Sequence, residues 1–288
     1  MTDPCPGPLP PSPPRLKAPP GTCDTHMHVL GPFDRYPLAE NRSYTCPPST
    51  AEDYEDLKSA LGIHRCVVVH GSANGAQLDV TTDALARWGD KARGVGVVDA
   101  DVTEEQIAEM DKAGYRAVRL TTFLRGGLTF DHLESIAERI APFGWHVQVF
   151  TSHAGEFAET APRLARLPID VVVDHMGHAR PGDGLDHPGF RALQDLVRNG
   201  RCWVKLSAAY RFSEEAAPWA DCTPYAQALI DLRPDRMLWA TDWPHVMVWD
   251  YPMPDTTATL DWALEWDVDE ATLRAILVDN PTALFWKS

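Results

Sequence analysis

The sequence predicts an α/β fold, a single-domain (β/α)8 TIM barrel, and three observations predict it. Eight short apolar, β-branched runs recur along the chain. An amphipathic segment of helical length follows each of them. The alternation fills roughly 260 residues, the length such barrels take. Most of the runs are apolar throughout rather than alternating, as parallel strands covered on both faces are. A doubly wound open sheet is the competing arrangement. It would carry a glycine-rich turn after an early strand, and neither Gly-x-Gly-x-x-Gly nor a Walker A sequence occurs.

The elements follow in order. Residues 1–20 hold nine prolines. Proline fixes φ and lacks a backbone donor, so this stretch reads as an extended or disordered arm, able to wrap the domain or a partner. Residues 21–288 then form the barrel, with no strong linker inside them. The first strand spans Cys23–Val29, and Thr50-Ala-Glu-Asp opens a helix near Asp53–Leu61. Strand Cys66–His70 precedes helix Gln77–Trp88. Strand Gly94–Val98 precedes a helix that starts at the capping box Thr103-Glu-Glu-Gln and reaches Ala113, with Gly114 as its stop. Strand Ala117–Thr121 is followed by Asp131–Ile140, and His146–Phe150 by Glu156–Ala165. Strand Val171–Asp174 leads to Pro188–Arg198, Cys202–Ser207 to Thr223–Leu232, and Met237–Thr241 to Thr256–Glu265. A last helix covers Asp269–Leu277, and Asn280-Pro281 caps a short terminal turn.

Composition removes several classes of function. Lys plus Arg is 26 and Asp plus Glu is 41, a formal net charge of −15. Binding to nucleic acid or to an anionic membrane surface needs clustered cations, so neither is expected as a partner. No apolar run approaches the ~20 residues of a transmembrane helix, and the N-terminus lacks the layout of a secretory signal. A cytoplasmic protein is expected. The six cysteines form no Cys-x-x-Cys pair and read as free thiols.

In such a barrel, chemistry sits at the C-terminal ends of the strands. The first strand ends in Asp24-Thr-His26-Met-His28. Residues two apart on a strand point the same way, so both histidines face the interior near the mouth. One buried histidine is usually a satisfied core residue; two on one face point to a site. The sixth strand delivers His175, with His178 three residues on. The eighth delivers Asp242. An aspartate there could cap a helix, but Trp243-Pro244 follows and no helix begins, so Asp242 reads as a general base. Trp243 beside it is a candidate lining residue, whereas core or rim packing is the default for the other tryptophans.

On these residues the chain resembles the amidohydrolase superfamily, and within it the 2-pyrone-4,6-dicarboxylate lactonase branch. The carrying segments are CDTHMHVLGPFDRYPLAENRSYTCP at 23–47, VRL and LRGG within 118–127, GWHV at 144–147, VVDHMGH at 172–178, CWVKLS at 202–207 and WATDWPH at 239–245. The resemblance implies a carboxylic ester hydrolase (EC 3.1.1.-) that opens a carboxylated lactone without a metal. Asp242 would take a proton from water, and His26, His28 and His175 would donate hydrogen bonds or positive charge to the developing oxyanion. Many metal-dependent members have a bridging lysine on strand 4, and Ala117–Thr121 has none. A binuclear site is therefore not expected. His26, His28, His175 and Asp242 could still hold a single Zn²⁺.

The resemblance also assigns substrate contacts. Arg119 ends strand 4, Arg125 follows in the loop, and Arg211 follows strand 7. Each alone reads as a surface ion-pair residue, but three on separate mouth loops suit a di- or tricarboxylate, since guanidinium binds carboxylate bidentately. Ser72 resembles a further contact. The chain departs from the branch at His178, where arginine is frequent, with Arg180 nearby as a substitute. It also lacks the aromatic hydroxyl near the end of strand 5, where Phe150-Thr-Ser-His153 stands, and His153 reads equally as a contact or a surface residue. A sugar-acid lactone or a substituted muconolactone fits the same frame. So does a metal-dependent decarboxylase of the superfamily. A barrel that merely binds organic anions, or a scaffold using its proline arm, leaves four such residues at one mouth unexplained. The sequence leaves a homo-oligomer open.

Overall fold

The computed structural model describes residues 4–125 and 128–287. Two glycines of the LRGG segment, Gly126 and Gly127, lie outside the described residues, as do the first three residues of the arm. The eight strands are β1 (Cys23–Met27), β2 (Arg65–Val69), β3 (Ala92–Gly96), β4 (Tyr115–Thr121), β5 (His146–Phe150), β6 (Val171–Val173), β7 (Cys202–Leu206) and β8 (Met237–Trp239). They pair in parallel in chain order. The helices are α1 (Ala51–Leu61), α2 (Asp79–Trp88), α3 (Glu104–Ala113), α4 (Leu133–Ile140), α5 (Phe157–Leu164), α6 (Pro188–Arg198), α7 (Thr223–Leu232), α8 (Thr256–Asp261), α9 (Glu270–Arg274) and α10 (Asn280–Phe285). This is the (β/α)8 barrel. Among the described residues no helix is long and apolar enough to cross a membrane.

Local signals explain the helix ends. Thr50 and Asp53 form a reciprocal capping box at α1, and Thr103 and Gln106 form one at α3. Gly114 ends α3 with φ 102°, a conformation that favours glycine. The expected last helix differs. α9 runs through one π-helical turn, Ala275–Asp279, directly into α10, so Asn280 continues a helix rather than starting one.

β8 and β1 close the barrel. Thr25 Oγ1 donates to the Trp239 carbonyl (2.7 Å) and Thr241 N to Asp24 Oδ1 (3.0 Å). Asp242 N donates to the His26 carbonyl (2.9 Å), and His28 N to the Trp243 carbonyl (2.9 Å). These bonds explain why β1 and β8 are shorter than their apolar runs suggest: the last residues of each turn toward the other across the seam.

Two apolar layers form, one on each side of the sheet. Cys23, Val67, Val69, Val95, Ala117, Val172, Trp203 and Leu238 fill the interior, with Leu284 and Phe285 of α10 packed on them. Met27, Val68, Val118, Val147 and Val204 face outward among the helix cores. Cys23 and His26 both belong to the interior although their positions differ in parity. The β1–β2 register shifts between Asp24 and Met27, and this bulge turns the histidine pair inward.

The proline-rich segment lies along the barrel. Cys5 N donates to the Thr45 carbonyl (2.9 Å). Farther along, the backbone N–H groups of Arg15 and Leu16 each reach Asp261 Oδ1 (2.9 Å), and Thr257 Oγ1 donates to the Ser12 carbonyl (2.7 Å). All six cysteines are free and buried.

Candidate active site

The mouth residues gather round Asp242. Its Oδ1 lies 3.8 Å from His26 Nε2, 4.0 Å from His28 Nε2 and 3.5 Å from His175 Nε2. Its Oδ2 is occupied: Tyr210 Oη donates at 2.5 Å, Arg211 Nε at 2.9 Å and Arg211 Nη2 at 2.8 Å. Only Oδ1 is left to receive a proton. Burial opposes ionisation of Asp242, yet the Arg211 guanidinium outweighs it and holds the carboxyl well below the usual range. Asp242 takes φ 60°, and His175 and His178 are also left-handed, at 52° and 57°. Non-glycine residues held in that region cost about 1–3 kcal/mol each, and such strain concentrates at functional sites.

The histidines are buried and neutral. Burial pushes His28 and His175 down to about 4, and His26 well below its ordinary value. His28 Nδ1 stands 2.7 Å from the Val69 carbonyl, which only accepts. Its proton is therefore on Nδ1 and its Nε2 is bare. In this tautomer the ring offers an acceptor at Nε2, where the resemblance implies a donor. His175 Nδ1 meets Ser207 Oγ at 2.8 Å.

Beneath this cluster lies a charged layer that the sequence reading missed. Asp174, Gln148 and Lys205 are fully buried inside the barrel. Lys205 Nζ contacts Gln148 Oε1 (2.7 Å), His26 Nδ1 (3.0 Å) and Asp174 Oδ1 (3.1 Å). Burial lowers the ammonium to about 8. The opposing carboxyl of Asp174, despite its own burial, is held well below the usual range by the Lys205 ammonium and the Arg119 guanidinium. Strand parity could have found these groups. Lys205 lies two residues after the interior Trp203, and Asp174 two after Val172.

A cavity of about 210 Å³ opens above, lined among others by His28, Tyr44, Ser72, Arg119, His175, His178, Arg180, Arg211 and Asp242. Phe123, Phe150 and Phe212 give it an aromatic wall. Arg125 is outside this lining; it is exposed, and its backbone N bonds Ser43 Oγ at 2.9 Å. His153 is also outside, with a side chain 61% exposed, which makes it a surface residue. Trp243 is buried against Tyr54, 5.3 Å between centroids, and stands outside this cavity's lining.

Two arginines expected to clamp substrate already hold carboxylates. Arg119 Nε and Nη2 contact Asp174 Oδ2 at 3.0 and 2.9 Å, which leaves Nη1 over for the cavity. Arg211 is more fully committed, because Nη2 also donates to the Val246 carbonyl (2.9 Å) and Nη1 to Tyr251 Oη (3.4 Å). Arg211 is thus the partner of Asp242 rather than a free clamp. Tyr44 and Tyr251 supply aromatic hydroxyls that β5 lacks. His178 donates Nδ1–H to the Ser152 carbonyl (3.2 Å), and burial lowers its ring to about 3, so it brings no positive charge.

The donor atoms could also hold an ion. His26, His28 and Asp242 offer one set of mutually close atoms, and His26, Asp174 and His175 another.

The sequence pattern of the amidohydrolase family matches residues 23–286. The 4-sulfomuconolactone hydrolase of Hydrogenophaga intermedia is 38% identical over 279 residues, 95% of this chain and 91% of its own. The 2-pyrone-4,6-dicarboxylate hydrolase of Comamonas testosteroni is 36% identical over 289 residues, 96% of this chain and 93% of its own. A crystal structure of an Agrobacterium tumefaciens protein in its apo form superposes with a TM-score of 0.86 at 31% identity, covering 96% of this chain and 99% of that one.

Proposed function

The chain belongs to the amidohydrolase family, and from that premise we propose that it is a hydrolase that opens a carboxylated lactone of the 2-pyrone-4,6-dicarboxylate kind. The observation that carries this is the divided carboxylate of Asp242. Tyr210 and Arg211 tie down Oδ2, and Oδ1 stands within 4.0 Å of three histidines beside a cavity the size of a small ring, which His28, His175 and Asp242 line.

The chemistry follows from the donors and acceptors. His28 Nε2 and Asp242 Oδ1 are two acceptors 4.0 Å apart. One water spans that gap with its two protons, at ~2.8 Å to each. Held so, it presents its lone pairs to the lactone carbonyl. Asp242 accepts a proton as the C–O bond forms, and returns it to the ring oxygen as the ester C–O bond breaks. His26 and His175 polarise the carbonyl oxygen. Arg119 Nη1, Ser72 and Arg180 receive the carboxylates of the substrate.

This sequence of steps uses side chains alone and requires no cofactor. The residues nevertheless fit a divalent ion. His26 Nε2 and His28 Nε2 stand 3.3 Å apart and Asp242 Oδ1 3.8 and 4.0 Å from them, close to the ~3.4 Å between ligands of a tetrahedral Zn²⁺. Bound there with His26, His28, His175 and Asp242, it would act as a Lewis acid.

The test is a spectrophotometric screen of 2-pyrone-4,6-dicarboxylate, a sulfonated muconolactone and a sugar-acid lactone, with and without chelator. Ring opening of the dicarboxylate, unchanged by chelator, is expected. A strict need for added Zn²⁺ would overturn the metal-free reading, and opening only of another lactone would reassign the substrate. Asp242→Asn should lower kcat by about 10²–10⁴-fold with KM little changed.

A further inference from the structure

Lys205 Nζ has three protons and three neighbours: Gln148 Oε1, Asp174 Oδ1 and His26 Nδ1. Gln148 has no freedom to flip, because its Nε2 donates to Asp174 Oδ2 at 3.0 Å and its Oε1 faces an ammonium. His26 Nδ1 therefore has two options. It can donate to Asp174 Oδ1, 3.2 Å away, or accept from Lys205, 3.0 Å away. Donating sets an N–H against an ammonium N–H in a place without water, and strands one lysine proton. Accepting costs nothing at Asp174, whose Oδ1 already receives a proton from Lys205.

The far side of the ring gives the same answer. His26 Nε2 lies 3.3 Å from His28 Nε2. His28 is bare there, since its Nδ1 donates to the Val69 carbonyl. If His26 carried its proton on Nδ1, two lone pairs would face each other at that distance. With the proton on Nε2, an unbroken chain forms: Lys205 to His26, His26 to His28, His28 to Val69. Every polar atom in it is satisfied.

We propose that Lys205 is a positioning residue that holds His26 in its Nε2–H form, so that the first histidine of the pair is a donor and the second an acceptor. The consequence for chemistry rests on the lactonase reading above: when water and substrate enter, the His26–His28 hydrogen bond opens, which frees the His26 Nε2–H for the carbonyl oxygen and the His28 Nε2 lone pair for the water. The same contact works against chelation, because a ring protonated on Nε2 has no lone pair there for an ion.

The experiment is ¹⁵N–¹H NMR of full-length protein labelled at histidine, with the His26 ring assigned by its loss in His26→Gln, alongside Zn²⁺ titration. In the native protein His26 should show a protonated Nε2 and an unprotonated Nδ1. In Lys205→Met the proton should move to Nδ1, facing Asp174, and Zn²⁺ should bind at least about tenfold more tightly. A native His26 protonated on Nδ1 overturns the proposal, as does a Lys205→Met protein with unchanged tautomer and Zn²⁺ affinity. If that variant does not fold, the native spectrum decides alone. Neither readout contains substrate, so a failed lactone screen leaves this result standing.

Discussion

At the scale of single residues, the site is a set of carboxylates whose oxygens have separate duties. Asp242 gives Oδ2 to Tyr210 and Arg211 and keeps Oδ1 for chemistry. This makes a prediction that separates the two roles of Arg211. Arg211→Lys retains the charge but loses the planar fork. If Arg211 orients Asp242, kcat should fall by roughly tenfold and KM should move little. A rise in KM at constant kcat would restore Arg211 to substrate binding. His26, His28, His175 and Asp242 were legible from spacing and strand position alone. Asp174 was not singled out, although it stands beside His175, because a carboxylate before a histidine has no local signature; its meaning comes from Lys205, Arg119 and Gln148 on three other strands.

At the scale of elements, short-range geometry aims these residues. The β1 bulge between Asp24 and Met27 restores the inward parity of the histidine pair. The β6–α6 connection carries His175, His178 and Arg180, and the start of α6 is wedged against the loop after β5. A Cβ on Gly189 would meet the Ala154 carbonyl oxygen at 1.9 Å and its carbon at 2.4 Å. Backbone cannot yield as a side-chain tip can. Gly189→Ala should therefore destabilise the fold by at least about 3 kcal/mol, read by urea unfolding, and lower activity in the folded fraction by displacing Ser152 and His178. A stable and fully active Gly189→Ala protein would contradict this packing. Periodicity and caps placed the helices well, whereas strand ends at the seam depended on closure bonds that no local pattern contains.

At the scale of the whole molecule, burial of neutral histidines ties stability to pH. His70 is 1% exposed, its Nε2–H donates to the Gly75 carbonyl (3.0 Å), and Nδ1 meets Thr81 Oγ1 (2.9 Å). Burial lowers it to about 4. Between about 6.5 and 4 the unfolded chain takes up a proton that the folded chain refuses, so stability falls as pH drops through that window and levels below it. His70 alone contributes up to about 3 kcal/mol of this loss. The denaturation midpoint should begin to fall near pH 6.5 rather than near pH 4, and His70→Gln should flatten the slope. Parallel pH curves for the two proteins would refute the assignment.

The sequence by itself determined the barrel, because a twofold-covered parallel strand and an amphipathic helix are local patterns repeated eight times. It also pointed to the strand-end cluster of His26, His28, His175 and Asp242, but not to the positions of Arg125 and Trp243, which stand outside the cavity. Only the tertiary structure decided who partners whom. Arg119 and Arg211 read as substrate clamps until Asp174 and Asp242 were found against them, and Lys205 read as part of an apolar strand until His26 was found beside it. The physical reason is that these pairs lie 31 to 179 residues apart in the chain. Their distances depend on strand register and barrel closure, and in a water-free interior those distances settle which proton sits on which atom.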